Sequence, residues 1–95
     1  MQISGELAQR PLLSQVELPS IPVNDVIPPS KVQALVDTAG NVASAVLLES
    51  SKLDTADQRA LQIARNLRFA PAPRLMFGEI TFTWHTVPVA STNAP

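Results

Sequence analysis

The chain has 95 residues, 45 % of them hydrophobic and 16 % charged, with seven Lys plus Arg against eight Asp plus Glu. That is enough apolar material for one small domain and too little for two cores, with no charge excess of the kind that draws nucleic acid or an anionic membrane. Cysteine is absent and histidine occurs once, which excludes disulfide staples, thiolate catalysis and the common zinc sites, so neither metal nor cofactor is expected.

Proline divides the chain. Pro11, Pro19, Pro22, Pro28 and Pro29 all fall within residues 1–30, where each removes a backbone donor, so this stretch reads as an extended arm or linker. Its apolar residues, Leu12, Leu13, Val16, Leu18, Ile21, Val23, Val26 and Ile27, are able to pin the arm against the domain or against a second copy. The tip, Met1 to Arg10, is expected to be mobile. No apolar run approaches the roughly 20 residues of a membrane span, and the opening residues lack the pattern of a signal peptide.

Residues 31–88 read as the folded domain. From Lys31 to Asp37, Val32, Ala34 and Val36 alternate with Lys31, Gln33 and Leu35, the period of a half-buried strand. Asp37-Thr38-Ala39-Gly40-Asn41 supplies turn chemistry, with Gly40 placed for positive φ, and Val42 to Glu49 returns as a second strand to make a β-hairpin. Ser50-Ser51-Lys52 breaks the strand. A helix is expected from about Thr55 to Leu67, with Asp54 or Thr55 as N-cap and Asp57 or Gln58 closing a capping box. Leu53, Ala56, Ala60, Ile63, Ala64 and Leu67 form its apolar stripe, leaving Asp57, Arg59, Gln62, Arg65 and Asn66 to solvent. Pro71 and Pro73 end it.

The last element runs from Gly78 to Val87, where Ile80, Phe82 and Trp84 alternate with Glu79, Thr81, Thr83 and His85. Residues 89–95 read as a short polar tail. The fold class is therefore α+β, in the order β-β-α-β: a three-stranded antiparallel sheet with one helix packed on one face.

Nothing in this pattern points to an enzyme. His85 sits on the polar side of a strand with no Ser, Cys or carboxylate at a telling spacing, Ser50 and Ser51 lack a nucleophile-elbow setting, and Asp54 and Asp57 are accounted for by a helix N-terminus. Arg65, Arg68 and Arg74 suit a helix C-terminus, and Trp84 shares the core phase of Ile80 and Phe82. Leu75, Met76 and Phe77 either fold over the sheet end or form a contact patch.

Taken in order, the stretch from Val32 through Asp37-Thr38-Ala39-Gly40-Asn41-Val42, then Val46-Leu47-Leu48-Glu49-Ser50-Ser51, then a helix closing on Arg68-Phe69-Ala70-Pro71, resembles the C-terminal domain of TonB-type energy transducers. The resemblance covers about Lys31 to Val87. It departs from the family in lacking a Tyr-Pro element before the first strand, in having Leu67 where Trp is common, and in carrying Pro73-Arg74-Leu75-Met76-Phe77 where a Gly-rich turn is usual.

The resemblance implies a non-enzymatic periplasmic binding module, attached in a longer protein to an inner-membrane anchor. Such a module grips an extended segment of an outer-membrane transporter by strand addition and transmits energy from a proton-driven motor. The partner-binding edge it implies is Glu79, Ile80, Thr81, Phe82, Thr83, Trp84, His85 and Thr86, whose backbone offers donors and acceptors to an added strand. The alternative is a structural module that uses the same edge for a homodimer, with the arm exchanged between copies.

Overall fold

The computed structural model describes residues 1–89. Its elements in chain order are β1 (Gln2–Gly5), a 3₁₀ turn (Glu6–Gln9), β2 (Ile21–Pro22), β3 (Ser30–Val36), β4 (Val42–Glu49), α1 (Asp54–Arg65), β5 (Met76–Phe82) and β6 (Thr86–Val87). The main sheet has the order β1-β5-β3-β4 and is antiparallel throughout, while β2 and β6 form a separate parallel pair. The fold is thus α+β with one helix, as expected. The sheet, however, has four strands rather than three, because the arm contributes one. The expected tail, residues 89–95, lies outside the described residues beyond Val89.

The hairpin forms as its pattern dictates. Val32, Ala34 and Val36 are fully buried under α1, and β3 pairs with β4 from Lys31↔Glu49 to Val36↔Val42 with irregularities at both ends. Gly40 adopts φ +97°, and a Cβ there would lie 1.9 Å from the Phe69 carbonyl oxygen, so glycine is required both by the turn and by the chain that crosses it. Asp37 closes the turn by accepting the Asn41 N–H on its carboxylate at 2.8 Å.

Helix α1 is two residues shorter at its C-terminal end than the apolar stripe suggests, and Leu67, just past it, is still buried. Ala56, Ala60 and Ala64 face the sheet, their small side chains permitting close approach. Two expectations fail at the helix start. The N-cap is Leu53, which makes no side-chain cap, and Asp57 is buried rather than solvated. Its carboxylate accepts the Ser30 hydroxyl and the Ser51 N–H at 2.7 and 2.8 Å, together with the Ser50 hydroxyl. Asp57 therefore ties the head of the helix to the ends of β3 and β4. Burial pushes its pKa up, but the hydrogen bonds from Ser50, Ser51 and Ser30 outweigh that and hold the carboxyl below its usual range.

The final strand is also split. β5 begins earlier than Gly78, at Met76, and its ladder stops at Phe82; the chain then changes partner, so that Thr86 and Val87 pair with Ile21 and Pro22. Trp84 keeps the inward phase of Ile80 and Phe82, stacks on Phe82 with ring centroids 5.8 Å apart, and donates its indole N–H to Ser30 at 2.9 Å. The ladder ends where β3 begins, at Ser30 opposite Phe82, because the preceding Pro28 and Pro29 have no backbone N–H to offer.

The arm is a belt rather than a loose lead-in. Leu7 and Ile21 belong to the core, with Ile3, Leu12, Val16, Leu18, Val23 and Ile27 packed against it. Between β1 and β2 the chain crosses the Arg68–Pro71 segment that follows α1: the Leu13 N–H donates to the Arg68 carbonyl at 2.8 Å and the Ala70 N–H to the Pro11 carbonyl at 2.9 Å. The tip expected to be mobile instead carries β1 and the 3₁₀ turn.

Candidate functional site

The residues singled out from sequence, Glu79 to Thr86, do not form one continuous edge. Glu79, Ile80, Thr81 and Phe82 lie in β5, where β3 pairs with them on one side. On the other side β1 pairs antiparallel as Gln2↔Thr81, Ile3↔Ile80, Ser4↔Glu79 and Gly5↔Gly78. Thr83, Trp84 and His85 fall outside any strand, and Thr86 belongs to β6. Thr83 and His85 are exposed, Trp84 is buried, and the His85 carbonyl accepts the Ile21 N–H at 2.9 Å.

Both sides of β5 are therefore paired within the chain, by β3 on one side and by β1 on the other. Sequence reasoning missed the residues that shape the β1 side. Gly78 leaves a notch: a Cβ built there would lie 2.6 Å from the Leu7 Cβ and 2.7 Å from its Cγ. Leu7 fills that notch at 1 % exposure. A glycine interrupting an alternating strand marks such a close backbone approach, and this was the signal available. Gly5, opposite Gly78, has φ +78° and turns the chain from β1 into the 3₁₀ turn.

Polar contacts fasten the same segment. Glu6 accepts the Phe77 N–H at 3.3 Å and pairs with Arg74 at 2.6 Å; the first of these and then the second hold its carboxyl below the usual range. Arg10, only 6 % exposed, donates through Nε to the Ala70 carbonyl and through Nη2 to the Asp37 carbonyl, both at 2.7 Å. Its Nη1 is buried without a partner.

The opposite edge of the sheet, β4, pairs with β3 alone. Its outward residues Val46 and Leu48 are 52 and 43 % exposed, and Phe77 adds an apolar ring to the same open face at 53 %. Of the Leu75-Met76-Phe77 run, Met76 packs against the core whereas Leu75 and Phe77 are exposed.

A shallow surface depression runs along the outer face of α1 past Asp54, Gln58, Arg59 and Gln62, open to solvent. Among the described residues no three His, Cys, Asp or Glu side chains gather as metal ligands, and no helix is long and apolar enough to cross a membrane.

Neither the curated proteins nor the solved structures searched give a match to this chain. The family described as the Gram-negative bacterial TonB protein C-terminal matches residues 29–90, from just before β3 to beyond β6. The matched stretch contains the hairpin, α1 and β5 but excludes β1, the 3₁₀ turn and β2. The chain accordingly belongs to the TonB C-terminal family, whose members are non-enzymatic protein-interaction modules of the periplasm.

Proposed function

We propose that this domain captures an extended segment of a partner protein by strand addition at the edge that runs from Glu79 toward Thr86, and that the partner is an outer-membrane transporter to which the domain passes mechanical energy. The observation that carries this reading is that β5 accepts an antiparallel strand, β1, contributed by residues outside the family-matched stretch. An added strand gains affinity from backbone hydrogen bonds, and side chains beside the ladder select among partners. Thr81 on the open face, with Thr83 and His85 beyond the end of the ladder, are the residues available for that selection.

The test is photo-crosslinking in cells, with a reactive amino acid at Thr83 and adducts identified by mass spectrometry. Adducts to the N-terminal segment of an outer-membrane transporter support the reading. Adducts only to a second copy of the chain replace it with a self-associating envelope domain. Sedimentation across a concentration series separates these cases, since an arm-exchanged dimer persists at low micromolar concentration.

A further inference from the structure

We propose that Gln2–Arg10 is a displaceable plug, and that its side-chain pattern gives the chemistry of the partner segment the β5 edge accepts: a branched apolar residue, a glycine two positions on, and a leucine two further. This rests on the strand-addition reading and specifies its site.

The pattern follows from the fit. Ile3 lies across from Ile80 on the core side of the sheet and packs on the core. Gly5 lies over Gly78 in a left-handed conformation, where a Cβ would come 3.4 Å from the Gly78 Cα. Leu7 enters the notch that Gly78 leaves. The intervening residues face the open side, Ser4 reaching the Glu79 carbonyl at 3.4 Å and Glu6 pairing with Arg74. An apolar anchor in a pocket of fitted shape is how strand-adding peptides are discriminated once the backbone ladder is common to all.

Release follows from the fastening. Among the described residues Arg10 is a buried cation held by the Ala70 and Asp37 carbonyls without a salt bridge, and its Nη1 has no hydrogen-bond partner. A guanidinium left short of acceptors recovers its hydration on leaving, so this contact opposes detachment less than its burial suggests. β1 also stops opposite Thr81. A partner strand with the same pattern that also pairs with Phe82 makes a backbone contact the plug does not, and displaces it.

The test uses the full chain and a fluorescent synthetic peptide of residues Met1–Arg10. In the wild type the tethered arm competes at an effective concentration of about 1 mM, so micromolar peptide is excluded. Leu7→Asp puts a charge into the notch and unseats the arm; this variant is expected to bind the wild-type peptide at least about tenfold more tightly than the wild-type chain does. A peptide carrying Leu7→Asp is not bound, and adding Gly78→Ala to the variant abolishes capture by filling the notch. A Leu7→Asp chain that is folded by amide NMR and binds the peptide no better than wild type overturns the proposal.

Should that variant not fold, Gly5→Ala, which strains the positive-φ turn at the end of β1, gives a second reading by hydrogen exchange. Faster exchange confined to the β1–β5 ladder supports a plug, and uniform acceleration through β3 and β4 overturns it. The crosslink at Thr83 reads partner contact independently. A transporter adduct combined with failed peptide capture keeps strand addition and rejects the plug.

Discussion

Asp57 shows how a single side chain can hold several elements together. Its carboxylate gathers donors from Ser30, Ser50 and Ser51 at the junction of β3, β4 and α1, and the same Ser30 hydroxyl receives the Trp84 indole N–H. Asp57→Ala is expected to cost about 3 kcal/mol in a urea melt at neutral pH, the upper range for losing charge-assisted bonds and stranding their buried donors. The pH dependence has a definite sign. With its pKa below the ordinary range in the folded state, the carboxylate contributes stability at neutral pH that is lost as pH falls from about 4 through the folded-state value. Urea melts across that window should show a smaller acid loss in Asp57→Asn than in wild type. Gly40→Ala is the backbone counterpart: with the Phe69 carbonyl oxygen 1.9 Å from the new methyl and φ at +97°, a loss of at least about 2 kcal/mol is expected by the same melt. Gly40 was legible in the sequence because turn chemistry is local. Asp57 was not, because a helix-start carboxylate reads as solvated until Ser30, distant in sequence, and the end of β4 with Ser50 and Ser51 are folded around it.

At the scale of elements, the hairpin and helix were legible because their periods are long and clean: Val32, Ala34 and Val36 for the strand, and Ala56, Ala60 and Ala64 for the helix. The split of the last strand was not, since Ile80, Phe82 and Trp84 keep one phase straight through the point where the ladder ends. β1 was hidden for a different reason. Gln2–Gly5 is too short to show a period, and its pairing is decided by Gly78 at the other end of the chain. The packing of α1 is tested by Leu67→Ala, expected to cost about 2–5 kcal/mol because this side chain is buried beneath the helix end. A loss below about 0.5 kcal/mol in a denaturant melt would contradict the assigned helix phase. β4 invites an experiment of another kind. It is eight residues long, contains no proline, and carries charge only at Glu49, where Lys31 pairs with it at 3.3 Å. Such an edge is prone to association. Val46→Lys should leave the unfolding free energy within about 0.5 kcal/mol while raising the temperature at which turbidity appears.

For the molecule as a whole, the belt makes the domain larger than the stretch its family defines. The matched residues, 29–90, hold the helix and three of the four main strands, whereas the fourth strand and the core side chains Leu7 and Ile21 come from before them. The pairing of Ile3 with Ile80 spans nearly the whole chain. Contacts so distant in sequence form late, after local hairpin and helix contacts. Synthesis proceeds from the N-terminus, so the arm is made before the strand it joins. For that interval β5 does not yet exist, and when it does emerge, the segment that pairs with its outer edge is already present on the same chain.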